Sequence, residues 1–266
     1  MTKSLLQQMP PRFKKPSLWT WLLSIFFLAF FLQGLLVSEI SLERMIAGIG
    51  NMGRFLSSSF PPNLSRLPII LRAMIETFQM AIVGTVIGVL LSLPVALLIS
   101  KNTTPHPLIS SVLRSIVTLM RTIPDLVWAL IFIISVGLGP LAGIFTIVID
   151  TIAFCARFFS ERIEEVDRGS LDAMSSTGAG KFGVYASMVI PVCFPSFVAT
   201  SLFSVEKAVR SAVILGLVGA GGIGIELSTA MSLMKYDEAF TIILIIFMVV
   251  VVVEYTSGRI RKRFLL

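Results

Sequence analysis

Six stretches of this chain are long, apolar and poor in charge, and no other feature limits its fold as much. They run over about 18–38, 72–100, 112–138, 141–159, 188–209 and 239–255. At 1.5 Å of rise per residue, about 20 helical residues cross a hydrocarbon layer roughly 30 Å thick. In all, 55% of the residues are hydrophobic and 14% charged, against about 45–50% and 25% in a soluble domain. One water-soluble core cannot hide that much apolar surface, so lipid must cover part of it. The predicted fold class is an all-α integral membrane protein with about six transmembrane helices.

The formal net charge of +7 does not point to nucleic acid. The basic residues Arg12, Lys14, Lys15, Arg259, Arg261, Lys262 and Arg263 flank apolar runs, where the positive-inside rule places them. That puts both termini on the cytoplasmic side. The first apolar run is too long for a signal-peptide core and no small-x-small site follows it, so it reads as a retained anchor. Cys155 and Cys193 lie in apolar segments without metal-ligand spacing and read as small buried hydrophobes. His106, the one histidine, reads as a loop residue, and neither a metal site nor a cofactor is expected.

Residues 1–71 are expected to hold a tail, the first span and an external interfacial segment; residues 72–266 form the core. Gly84 and Gly88 make a small-xxx-small pair that favours close helix packing. Pro94 should kink the inner end of the second span, and Pro124 should break the third. A polar stretch around 160–187 separates the fourth and fifth spans.

Two glycine motifs invite a nucleotide reading. Gly180-Lys181 resembles the end of a phosphate-binding loop, but Ser175 stands where its first glycine belongs and Phe182 where the magnesium-binding hydroxyl belongs. Gly219, Gly221 and Gly224 fit G-x-G-x-x-G, with Asp237 and Glu238 downstream. A dinucleotide site needs a strand before that motif, and here an apolar helix precedes it. Gly219, Gly221, Gly222 and Gly224 read instead as a gate or hinge, an irregular segment folding back at the outer mouth of a cavity.

Arg121, Asp125, Asp150, Arg157, Glu206, Lys207 and Arg210 lie in or near apolar spans. Each would cost roughly 2.5–3.5 kcal/mol at the bilayer centre, so each should face a partner or water. Helical spacing offers the pairs Arg121–Asp125 and Glu206–Arg210. These charges serve either as internal ion pairs or as the lining of a pathway.

From Leu171 the chain reads LDAMSSTGAGKFGVYASMVIP. This resembles the cytoplasmic signature of ABC importer permeases: E-A-A, three residues, G, nine residues, I-x-L-P. Asp172, Ala173 and Met174 take its first positions, Gly178 its glycine, and Met188, Ile190 and Pro191 its end. Substitutions within the motif keep acidic or apolar character. RTIPDLVWALIFIISVGLGPLAG, ILGLVGAGGIGIEL and YDEAFTIILII look like the phosphonate-type permeases, and the likeness covers about 72–266.

The resemblance implies a type I importer permease, multi-pass in the cell inner membrane, that catalyses no chemistry itself. It implies a homodimer, two cytoplasmic ATPase subunits and an external or periplasmic substrate-binding protein. Ser170, Leu171, Asp172, Ala173, Met174, Gly178, Ala179, Lys181, Met188 and Pro191 would couple to the ATPases. Ser170 or Asp167 can cap a short helix that Gly178 ends in a left-handed conformation, making a stiff lever. The implied cargo is phosphonate, phosphite or a related oxyanion. Arg121, Lys207 and Arg210 would give its route a weakly positive lining, with Pro124, Asp125 and Glu206 beside them. Permeases for amino acids, methionine or quaternary amines share the architecture. A self-sufficient channel or carrier, or a membrane enzyme, is the alternative class.

Overall fold

A computed structural model describes residues 16–38 and 41–265. Arg12, Lys14 and Lys15 lie outside the described residues, as does the side chain of Arg168. The chain divides into two units, residues 1–57 and 58–266.

In the first unit, α1 (Leu18–Val37) starts at Ser17, whose hydroxyl accepts the Trp19 N–H. It is 20 residues long, a bilayer's span, and apolar on every side. Within this unit its side chains stay exposed, as those of a lipid-covered helix do. α2 (Leu42–Ser58) is amphipathic.

The second unit is a helical bundle. Its central pair is α3 (Leu67–Ile99) and α6 (Pro140–Glu164). A Cβ on Gly84 would stand 2.7 Å from Ile147, and one on Gly88 would stand 2.5 Å from Thr151. Glycine at both places lets the two helices approach closely, as the spacing predicts. α3 continues through Pro94 to Ile99.

The third apolar run is two helices, α4 (Pro107–Thr122) and α5 (Asp125–Val136), meeting at 93°. Ile123 is extended, as a residue before proline tends to be, and Pro124 supplies no N–H to continue the helix. His106 caps α4 through Nδ1, which accepts the Leu108 N–H at 3.2 Å.

After α6 come the short α7 (Arg168–Ser176) and α8 (Lys181–Val184), a π-helical turn at Tyr185–Val189, and α9 (Ile190–Leu217). The last three make one rod over Lys181–Leu217, longer than the predicted fifth span. α10 (Ile223–Ser232) and α11 (Tyr236–Leu265) close the chain. Among the described residues, five helices are long and apolar enough to cross a membrane, or six spans if α4 and α5 count as one.

The core lies in layers along the bundle. Ile70, Met74, Ile223 and Ala239 fill one end. Ala81, Ile147, Ala212 and Leu215 fill the middle. Ala96, Phe159, Ile163 and Phe197, with both cysteines, fill the other end. Leu90, Phe247 and Met248 face outward and are more than 60% exposed. In a bilayer that exposure carries no hydrophobic penalty, because lipid tails are as apolar as the side chains.

Candidate functional site

At one end of the bundle the last turn of α6 meets the end of α3. Ser100 Oγ donates to the Ser160 carbonyl at 3.2 Å, and Glu164 accepts the Lys101 N–H at 2.9 Å. From this platform α7 projects as an elbow. Asp167 caps it, accepting the Ser170 N–H at 2.9 Å and the Ser170 hydroxyl at 3.2 Å. Of the two expected caps, Asp167 acts and Ser170 is its donor. Those donors, the Ser170 N–H first, hold the Asp167 carboxyl below its ordinary value. Gly178, at φ +83°, follows the helix in the left-handed conformation expected of it.

The signature residues divide by face. Leu171 packs against the core with Tyr185 and Met188. Met174 and Ala179 are half-buried, while Ser170, Asp172, Ala173, Lys181 and Pro191 are exposed. Leu171 and Met174, one turn apart, therefore seat α7 and leave Asp172 and Ala173 outward. Between α7 and the α3–α4 loop lies a cavity of about 510 Å³, lined by Lys101, Asn102, Asp172 and Tyr185 among others.

Four contributors escape a motif reading. Val184 and Val189 are buried anchors under the elbow. The Tyr185 hydroxyl donates to the Thr103 carbonyl at 3.3 Å and ties the π turn to the α3–α4 loop. Phe182 is 85% exposed, a large apolar side chain on the outer side of the elbow. Such turns occur often at functional sites, and this one sits where the lever joins the spanning rod.

The charges within the bundle find partners other than those helical spacing suggests. Arg121 and Asp125 do not pair: Pro124 separates the helices that carry them, so the spacing is not that of one helix. Asp125 accepts from Ser211 at 3.3 Å on α9. Glu206 does not pair with Arg210. Glu206 is buried facing α11 and pairs with Arg261 at 2.9 Å, while Arg210 approaches Glu254 at 3.9 Å. Lys207 pairs with Asp150 at 2.6 Å and lies 5.4 Å from the Phe154 ring centroid. Arg157 pairs with Glu161 along α6 at 2.7 Å.

The opposite end is cross-linked through a glycine turn. Gly219, Gly221 and Gly222 all have positive φ. The Gly139 N–H donates to the Gly219 carbonyl at 3.0 Å. Glu76 accepts the Gly222 N–H at 3.0 Å, and Thr77 Oγ1 accepts the Ile223 N–H at 2.7 Å. α3 thus caps the first turn of α10. Gly224 and Gly216 touch backbone to backbone where α10 folds against α9; a Cβ on Gly224 would stand 2.2 Å from the Val213 carbonyl.

Arg66 bridges Glu226 on α10, at 3.0 Å, and Glu238 on α11. Asn63 donates to Asp237 at 2.9 Å. The acidic pair downstream of the glycines therefore holds a loop in place. Arg66 and Glu76 are absent from the predicted site. Glu76 had a readable signal, since a carboxylate inside an apolar run is costly unless it meets a partner.

The family described as binding-protein-dependent transport system inner membrane component matches residues 84–257. The phosphite transport system permease protein PtxC of Stutzerimonas stutzeri is 33% identical over 86% of this chain and 83% of its own length. The phosphate-import permease protein PhnE of Mycolicibacterium smegmatis is 34% identical over 82% of this chain and 41% of its own length. A solved structure, the inward-facing MetNI methionine ABC transporter, superposes with a TM-score of 0.67 at 20% identity, covering 76% of this chain and 99% of the solved one.

Proposed function

The chain belongs to the family of binding-protein-dependent transport system inner membrane components, and from that premise we propose that it carries phosphite, phosphonate or a related small phosphorus oxyanion. It is the inner-membrane permease subunit of an ABC importer, a transport subunit rather than an enzyme. Separate subunits hydrolyse ATP, and a binding protein delivers the cargo. The substrate reading is carried by the identity to a phosphite permease across most of both chains.

In this reading α7 is the handle that the ATPases grip, and its end of the bundle is cytoplasmic. The basic tail supports that side: Phe264 meets Phe194 edge-on at the start of α9, so Arg259, Arg261, Lys262 and Arg263 lie at the elbow end. The exposed face of Asp172 and Ala173, with Phe182 beside it, meets the motor. Leu171, Val184 and Val189 pass its movement into the spanning rod. The glycine turn at Gly219–Gly224 is the outer gate. Two copies enclose the route, and Arg121 gives it positive lining, with Lys207 and Arg210 beside it partly offset by Asp150 and Glu254.

Reconstitution in liposomes tests the assignment. Phosphite uptake is expected only when the chain, its ATPase and its binding protein are all present with ATP. Replacing Asp172–Gly178 by a Gly-Ser linker of equal length should release the ATPase and abolish uptake. Uptake by the chain alone would establish a channel or carrier instead. Uptake of methionine in place of phosphite would reassign the cargo.

A further inference from the structure

Besides the elbow and the glycine turn, a cavity inside the bundle draws arginines from two helices. It lies where α4 crosses α6, has a volume of about 130 Å³, and is lined by Arg114, Thr118 and Arg121 of α4 with Arg157 and Glu161 of α6. Arg114 and Arg121 are two turns apart and share one face of α4. Arg157 reaches in from α6.

The donors are unequally used. Arg114 Nη2 donates to Glu164 at 2.8 Å and to the Ile99 carbonyl at 3.2 Å. Arg157 gives its Nε–H to Glu161 at 2.7 Å. Arg121 makes no ion pair among the described residues. A guanidinium has five N–H donors, so most of the donors on these three groups are uncommitted. Glu164 and Glu161 pair with Arg114 and Arg157, while the carboxylate that Arg121 acts on, Asp150 of α6, is already held by Lys207.

The hydroxyls there are committed. Thr118 Oγ1 donates to the Arg114 carbonyl at 2.7 Å, and Ser160 Oγ to the Arg157 carbonyl at 2.8 Å. The free donors are therefore all guanidinium N–H groups, so the cavity selects an anion with several acceptors. A carboxylate offers two oxygens; a tetrahedral oxyanion offers more, to forks arriving from two helices. The cavity is several times the roughly 30 Å³ that one water occupies in the liquid, enough for a small oxyanion.

We propose that Arg114, Arg121 and Arg157 form a binding site for a phosphorus oxyanion at the α4–α6 crossing. The ligand is either a free ion on its way through or the phosphate of an anionic lipid. The free-ion source rests on the transport reading above; the lipid source does not.

The test uses the chain with its ATPase subunits in nanodiscs, without binding protein or ATP, so it is independent of transport. Binding of radiolabelled inorganic phosphate is measured in pure phosphatidylcholine discs. Retention of phosphatidylglycerol is measured by native mass spectrometry after exchange from mixed discs. Arg121→Gln is expected to weaken one of the two by about tenfold or more, the scale of a charge-assisted hydrogen bond. Loss of phosphate binding identifies a free-ion site; loss of lipid identifies a headgroup site. Arg72→Gln, exposed on α3 away from the cavity, should change neither. Arg121→Lys keeps the charge but not the fork, so it should assemble and still bind more weakly. Phosphate and lipid binding that are both unaltered in Arg121→Gln and Arg121→Lys would overturn the site, whatever the uptake assay shows.

Discussion

The two ends of the bundle are held by different means. At the glycine-turn end, residues far apart in sequence are tied by side chains: Arg66 to Glu226 and Glu238, Asn63 to Asp237, Glu76 to Gly222. At the elbow end, α7 is capped by the residue just before it and followed by a left-handed glycine two residues past its end. Its attachment to the core is the partly buried Leu171 and the half-buried Met174. The contrast suits the proposed machine, pushed at one end and sealed at the other. The elbow can stay helical while it moves, because its hydrogen bonds are internal. The glycine turn cannot rearrange without breaking contacts between segments.

That contrast makes ordered expectations. The largest effect should come from Gly222→Val. Its φ of +72° disfavours any side chain, and a Cβ would stand 2.2 Å from Thr77 Oγ1. Backbone strain of about 1–3 kcal/mol is expected, lowering the melting temperature of the purified permease by about 5 °C. An unchanged melting curve would mean that the turn is not pinned to α3.

Arg66→Met should lower the melting temperature by less. It leaves Glu238, only 4% exposed at its side chain, without its main partner. Adding Glu238→Gln to Arg66→Met should restore much of the loss, and absence of rescue would argue against the clamp.

The smallest effect belongs to the elbow. Asp167→Ala should speed amide exchange in α7 alone and leave global melting nearly untouched, while Asp167→Asn keeps the cap. The folded Asp167 titrates below its ordinary value of 3.8. Its contribution is therefore complete above that value and is lost as pH falls through the folded value. Exchange protection of α7 in the wild type should stay constant at neutral pH and fade only in strong acid. If Asp167→Ala lowered global melting as much as Gly222→Val, the two ends would not differ as described.

The elbow was legible in the sequence because its causes are local. Asp167, Leu171, Gly178 and Met188 lie within about two dozen residues, and capping and left-handed termination act over three or four. The glycine turn was legible as an irregular segment, but its caps were not. Glu76 and Thr77 lie 146 positions from the N–H groups they accept. The charge pairs fared worst. Spacing along one helix suggested Arg121–Asp125 and Glu206–Arg210; Pro124 undid the first, and α11 brought Arg261 to Glu206 from 55 residues away.

By itself the sequence determined that this chain enters a membrane, roughly where its apolar helices lie, and where a capped elbow interrupts them. Those outcomes depend on runs of neighbouring residues, since a backbone in hydrocarbon must satisfy its own hydrogen bonds within the helix. Only the tertiary structure decided which charge meets which, how α3 pins the glycine turn, and where three arginines converge. A desolvated charge takes whichever partner the packing carries to it, and distance along the chain says little about that choice.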